Sequence, residues 1–115
     1  MQIQMDYLFT TLNPYIDAER ASLYMAAEIK KRETWMAKLL ANGARQIKAY
    51  PVDIVFQWFC TSTRTDPDNI AFAQKFILDG LVKAEVLKDD SWKYIASLKH
   101  EFNKSDTDYV IVDIS

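Results

Sequence analysis

The sequence PVDIVFQWFC, residues 51–60, decides how this chain folds, because both sides of the extended strand that it predicts are largely apolar. Alternate residues of a strand point to opposite faces. One face carries Val52, Ile54, Phe56 and Trp58, and the other carries Asp53, Val55, Gln57 and Phe59. So few polar residues on either face are typical of a strand that is covered on both sides. We therefore predict a central strand over residues 52–60.

Before this strand, the sequence predicts one further strand and one long helix. Residues 2–11 alternate in a strand-like manner, and Leu12-Asn13-Pro14-Tyr15 ends that pattern. A helical pattern follows from about Asp17 to Ala41, and Asn42-Gly43 would end it with a left-handed C-cap. The apolar stripe of this helix is expected to consist of Met25, Ile29, Met36 and Leu40.

After the central strand, a polar loop of residues 61–65 leads into a predicted helix over residues 70–84. Its inward side is expected to carry Ile70, Ala73, Ile77, Leu81 and Ala84. Two alternating segments, residues 94–102 and 109–114, flank a polar turn and predict a hairpin. The order strand, helix, strand, helix, strand, strand predicts an α+β fold in a single small domain over residues 1–115, with a mixed β-sheet and two main helices.

Composition limits the classes of protein to which the chain could belong. Half of its 115 residues are hydrophobic, which is enough for a core. The formal net charge is −2, with +2 in residues 1–65 and −4 in the remainder, so the total charge gives no indication of nucleic-acid binding. The single cysteine, Cys60, excludes an intrachain disulfide and fits a reducing compartment. No segment resembles a membrane span or a signal peptide, and we expect a cytoplasmic protein without a membrane partner.

Acidic residues are concentrated between residues 66 and 90, in Asp66-Pro67-Asp68-Asn69 and in Asp89-Asp90. The proline stiffens the first turn, and neighbouring carboxylates repel unless a cation or a proton lies between them. Carboxylate oxygens are the ligands that Mg²⁺ prefers, and Lys75 would be placed to stabilise charge on a reacting phosphate. The plainer interpretations are an N-cap by Asp68 or Asn69 and a surface ion pair between Lys75 and Asp79. Composition and spacing leave both interpretations open.

Basic residues form a run on the outer face of the long helix, and its members are Lys30, Lys31, Arg32 and Lys38. Such a run is usually a solvated face, and the alternative is a surface that follows a phosphate backbone.

The sequence gives little support for a calcium, nucleotide or zinc site, or for a catalytic histidine or cysteine. The segment from Asp66 has Ile70 and Ala71 where a calcium loop needs its third ligand and its glycine. Two glycines are too few for a Walker-type loop, and one cysteine with one histidine argues against zinc. We expect His100 to be a packed strand residue and Cys60 to be an unreactive thiol, because nothing near Cys60 in sequence would lower its pKa.

The acidic stretch resembles the signature of RusA-type Holliday junction resolvases. That signature is D-x-D-N, then a helix with K-x-x-x-D-A-L, then a D-D pair. Here the corresponding segments are Asp66–Asn69, Lys75–Leu81 (KFILDGL) and Asp89-Asp90. The segment Leu12–Ile16 and the helix after it are similar to the phage-borne branch of the family. The motif covers about residues 64–93, and the order of elements fits nearly the whole chain.

The resemblance implies a RusA-like homodimer that resolves four-way DNA junctions by paired symmetric nicks. The reaction would be phosphodiester hydrolysis by a water that Mg²⁺ activates, with Mn²⁺ as a substitute and with no small-molecule cofactor. The resemblance assigns metal binding to Asp66, Asp68 and Asp90, with Asp89 as a supporting acid. It assigns catalysis to the same three acids and to Lys75.

Two features depart from the family pattern. The gap between Asp68 and Lys75 is about three residues longer than in the enterobacterial form, which is close to one helical turn, so Lys75 is matched by its distance to Asp79. The role of Asp79 stays open. The chain is also not basic overall, so a positive DNA-binding face would depend on local residues, chiefly Lys30, Lys31, Arg32 and Arg64, with Lys38, Arg45 and Lys48.

Two other functions remain open at this point. One is a non-catalytic junction-DNA-binding protein of the same fold, and the other is a dimeric interaction module that holds a structural ion.

Overall fold

The computed structural model describes all 115 residues as one four-stranded mixed sheet with helices packed against it. The elements in chain order are β1 (Gln2–Met5), α1 (Leu12–Ala21), α2 (Leu23–Leu40), β2 (Val52–Cys60), α3 (Pro67–Ala71), α4 (Gln74–Lys83), β3 (Ile95–Lys104) and β4 (Tyr109–Ile114). The α+β prediction is therefore confirmed, although each of the two predicted helices is divided into two. No helix combines the length and the apolar character that crossing a membrane requires.

The predicted central strand is confirmed with the predicted bounds. The sheet order is β1-β4-β2-β3, and β2 pairs in parallel with β3 and antiparallel with β4. The side of β2 that carries Ile54 and Phe56 is fully buried under the helices, whereas Val55 and Gln57 on the other side are only half-buried. Burial on the helix side makes β2 the centre of the core, to which α4 contributes Phe76, Ile77 and Leu81.

The predicted C-terminal hairpin is wrong. Strands β3 and β4 do exist, but β2 lies between them in the sheet, so they do not pair with each other. Their connection crosses the end of β2, where Ser105 donates its amide to the Cys60 carbonyl and Asp108 accepts from the Thr61 amide, each at 2.9 Å. Alternation predicts strands but not their neighbours, and an apolar strand is buried best between two others.

The long helix predicted before β2 is interrupted at Ser22. The backbone of Ser22 is extended, and its hydroxyl accepts a hydrogen bond from the Tyr24 amide at 3.1 Å, so Ser22 ends α1 and caps α2. The predicted apolar stripe is confirmed in part. Ile29 and Leu40 pack against the core and Met36 is half-buried, whereas Met25 is 51% exposed. The fully buried residues of α2 are Ala26, Glu33, Thr34 and Ala37.

The reason for this difference lies in the contact of α2 with α4. A Cβ atom added at Gly80 would lie 2.8 Å from the backbone nitrogen of Lys38, so the two helix backbones approach too closely there for large side chains. Small residues such as Ala37 therefore face α4, and large residues such as Met25 and Trp35 lie on exposed sides of α2.

The N-terminal strand is shorter than predicted and covers only Gln2–Met5. The next residues are held by Glu33, a fully buried carboxylate on α2. It accepts hydrogen bonds from the Tyr7 hydroxyl at 2.5 Å, from the Thr10 amide at 2.6 Å and from the Thr10 hydroxyl. Burial, followed by this bond to Glu33, raises the pKa of Tyr7. These hydrogen bonds to Glu33 hold residues 7–10 against α2, whereas the sequence predicted that the strand would continue through them.

Candidate active site

The acidic pair Asp66 and Asp68 lies at the exposed start of α3. Asp66 is extended and precedes Pro67, the first helical residue, so Asp66 is the N-cap residue rather than Asp68 or Asn69. The Asp66 side chain makes no capping hydrogen bond. Oδ1 of Asp68 accepts from the Asn69 amide at 2.9 Å. Both carboxylates are therefore held on a helical turn and stay open to solvent.

The helix predicted over residues 70–84 tightens between α3 and α4. Three hydrogen bonds there, donated by the amides of Ala73, Lys75 and Phe76, span three residues instead of four; the bond from the Lys75 amide to the Phe72 carbonyl is 3.2 Å long. The predicted inward residues Ala73, Ile77 and Leu81 are buried, whereas Ile70 and Ala84 are half-buried.

Lys75 joins two acids that are distant in sequence. Its ammonium nitrogen lies 3.2 Å from Oδ1 of Asp79, one helical turn away, and 3.9 Å from Oδ2 of Asp90. The side chain of Lys75 is 53% exposed, while those of Asp79 and Asp90 are 21% and 30% exposed. A positive charge thus lies near two carboxylates, one on α4 and one on the segment that follows the helix.

The sharp end of α4 holds Asp89 and Asp90 in place. Glu85 adopts a left-handed backbone with φ +61°, which reverses the chain direction. The amides of Val86 and Leu87 then bond to the Leu81 carbonyl, and both side chains are buried in the core. Next, the Lys88 amide donates to the Tyr50 hydroxyl at 2.8 Å. The two acids that follow are therefore attached to a fixed segment.

An open depression of about 480 Å³ lies between α2 and the end of α4. Acids and lysines of both elements line it, and so does one buried hydroxyl; the polar lining residues are Lys30, Lys31, Thr34, Asp79, Lys83, Asp89 and Asp90. The structure therefore brings two predicted DNA-binding residues, Lys30 and Lys31, to the same depression as the Asp89-Asp90 pair.

The other predicted site residues lie outside this depression. Arg32 is on a neighbouring side of α2, 3.9 Å from Glu33, and Arg64 is exposed on the loop after β2. No three acidic, histidine or cysteine side chains stand close enough to form a metal-binding cluster, so Asp66, Asp68 and Asp90 do not form one in the single chain.

The residues that are present fit a hard cation such as Mg²⁺ in their chemistry. All the acids are oxygen donors, and Mg²⁺ keeps several waters, so it needs only one or two carboxylates as direct ligands. Thr34, which lines the depression, has a buried hydroxyl without a hydrogen-bond partner. A buried hydroxyl of this kind commonly binds an ordered water.

His100 and Cys60 behave as the sequence predicts. His100 is half-buried on β3, where Nδ1 accepts from Trp58 Nε1 at 2.9 Å and Nε2 lies 3.1 Å from Oε1 of Gln74. Burial lowers the pKa of His100. Burial, followed by the charge of Asp108, raises the pKa of the Cys60 thiol, which makes it a weaker nucleophile.

Sequence reasoning missed two lining residues of the depression, Thr34 and Lys83. Lys83 lies four residues after Asp79, so helical spacing alone could have placed it on the same face. Nothing in the sequence marks Thr34, because its position depends on how α2 packs against α4.

Comparison with models of known protein families finds no match, and no curated protein matches the chain at a significant level. The family resemblance accordingly depends on the motif residues and on their arrangement.

Proposed function

We propose that this protein is a structure-selective endonuclease that resolves four-way DNA junctions in the manner of RusA-type resolvases. One observation carries the proposal: Lys75 contacts both Asp79 and Asp90, which joins the second and third parts of the motif. A plain surface ion pair between Lys75 and Asp79 would lie within α4 alone and would not include Asp90, which belongs to the segment after the helix.

The lysines of the depression support binding of a phosphate backbone. Lys30 and Lys31 of α2 and Lys83 of α4 line the same surface as Asp89 and Asp90. Basic side chains beside acids would hold the DNA backbone while the acids hold a cation between themselves and the phosphate. Recognition would depend on junction shape and backbone contacts rather than on base edges.

Each motif residue has a specific part in the proposal. Lys75 stabilises the negative charge that builds on the phosphate during attack by water. Asp68 and Asp66 present carboxylate oxygens from the first turn of α3, and Asp90 presents them from the segment after α4, with Asp89 as a supporting acid. A bound Mg²⁺, for which Mn²⁺ substitutes, would supply charge neutralisation at the scissile phosphate and lower the pKa of the attacking water.

A second copy of the chain belongs to the proposal, because symmetric nicks on opposed strands require two sites. The proposed setting is cytoplasmic, and no small-molecule cofactor takes part.

A labelled four-way junction tests the proposal. The full chain is incubated with the junction in Mg²⁺ and, in parallel, in chelator, with a linear duplex of the same sequence as a control. Paired nicks at symmetric positions in the junction alone, and only with metal, are the expected result. Binding without nicks would identify a non-catalytic junction-binding protein of the same fold. If the chain neither binds nor nicks the junction, the dimeric interaction module is the function that remains.

A further inference from the structure

The strand β3 forms an unprotected edge of the sheet. It is ten residues long, contains no proline, and pairs only with β2. The opposite edge, β1, has only four residues. The charges in its middle, Lys99 and Glu101, lie on the side away from the helices, since they pair with Val55 and Gln57. A long edge strand without proline offers free backbone groups to another strand, and natural proteins usually cover such an edge.

Apolar side chains on β3 face the core side of the sheet but are not covered by a helix. Leu98 pairs with Ile54 and Phe102 pairs with Trp58, so both point to the same side as the buried residues of β2. Each is nevertheless 41% exposed, and Trp92, just before the strand, is 98% exposed. Exposed apolar surface therefore extends along the free edge without a cover.

The backbone groups of the alternate residues Leu98, His100 and Phe102 face this free edge. Ser105 donates its amide to the Cys60 carbonyl, so its backbone groups point towards β2. Because backbone groups alternate between the two sides of a strand, those of His100, five residues earlier, point away from β2.

The sequence of β3 is complementary to itself around His100. When two copies pair antiparallel with His100 opposite its own copy, Lys99 lies opposite Glu101 and Leu98 lies opposite Phe102. Two ion pairs then form on one side of the joined sheet and two apolar pairs on the other. The imidazoles near the symmetry axis are not opposed as charges, because burial lowers the pKa of His100 and Trp58 donates to its Nδ1.

We propose that a second copy of this chain binds along β3, antiparallel and with His100 on the two-fold axis, to form a continuous eight-stranded sheet. This inference deepens the proposed function, since it rests on the same need for two sites and names the surface that joins them. It also brings a residue of the second copy to the site. Asp90 and Leu98 line the same surface hollow, and Phe102 of the second copy would lie opposite Leu98.

The experiment is sedimentation equilibrium of the full chain in chelator and without DNA. We expect a dimer whose dissociation constant rises about tenfold in Glu101→Lys and in Lys99→Glu, because each change places like charges opposite each other twice. The double variant K99E/E101K restores the opposite charges and should dimerise almost as tightly as the unaltered protein. Gln4→Lys, on the edge strand β1, is the matched control and should change nothing.

Three results would overturn the inference: a monomer at about 100 μM, single variants that dimerise normally, or a double variant no better than the single ones. Circular dichroism and thermal melting of every variant verify that the fold is intact. Nuclease activity is measured separately. A dimer of this kind without cleavage would count against the endonuclease alone, and a monomer that cleaves would count against the interface alone.

Discussion

The ammonium nitrogen of Lys75 lies 3.9 Å from Oδ2 of Asp90, although one residue belongs to α4 and the other to the segment that follows Leu87. We expect Lys75→Ala to slow junction cleavage about a hundredfold or more, because a charge that stabilises the reacting phosphate is lost. Stability should change by less than about 1 kcal/mol, since the side chain is half exposed and exposed ion pairs contribute little. Single-turnover cleavage and urea denaturation measure the two effects. Lys93→Ala, an exposed lysine outside the depression, is the control, and a large loss of stability in Lys75→Ala would point to a structural role instead.

Asp68→Asn should abolish cleavage while it leaves junction binding unchanged or tighter. The substitution removes a negative charge that faces the DNA phosphates but keeps an oxygen that can accept from the Asn69 amide. Gel-shift titration in chelator and cleavage in Mg²⁺ separate the two activities. If binding and cleavage fell together, Asp68 would have a structural role in α3.

Gly80→Ala should destabilise the protein by about 1–3 kcal/mol, since the new methyl group would meet the backbone of α2 at 2.8 Å from the Lys38 nitrogen. The two helices would have to separate, and the depression between them would widen. Urea denaturation measures the change. Lys83→Ala, on an exposed position of the same helix, should alter stability by no more than about 0.5 kcal/mol. Equal stability of Gly80→Ala and the unaltered protein would show that the helices do not approach so closely.

Glu85→Gly should stabilise the protein by about 1 kcal/mol, because φ at this position is +61° and glycine adopts that conformation without a steric penalty. Glu85→Ala is the matched control. It removes the same side chain but keeps the Cβ atom, so it should not give the gain. Thermal unfolding of both variants distinguishes the backbone effect from the loss of a surface charge.

His100 should titrate below its usual value of 6.5, since burial lowers its pKa in the folded chain. The unfolded chain then takes up the proton more readily than the folded one. The contribution of His100 to the free energy of unfolding is therefore complete above about pH 6.5 and is lost as the pH falls towards the folded-state pKa. As the chain has one histidine, a single NMR titration curve measures the shift. A His100→Gln variant should lose this part of the pH dependence, and a measured pKa of 6.5 or higher would contradict the burial argument.

Only one of the two contacts of Lys75 in the acidic motif can be predicted from the sequence. Lys75 and Asp79 are one helical turn apart, so their contact follows from spacing. The approach of Asp90 to Lys75 does not, because it requires the left-handed turn at Glu85, a residue type that gives no indication of positive φ. The N-cap is Asp66 rather than the predicted Asp68 or Asn69, because Pro67 prefers the first helical position and the helix begins there.

The presence of each strand, the central position of β2 and the location of both acidic segments can be predicted from the sequence, because they depend on local alternation and on the types of neighbouring residues. Which strands pair, which side of α2 is buried and which lysines face the acids cannot be predicted in this way. Those depend on contacts between distant segments: β2 lies between β3 and β4, and Gly80 lets α4 approach α2. Such contacts cannot be predicted from local sequence, because they form only when distant segments pack together.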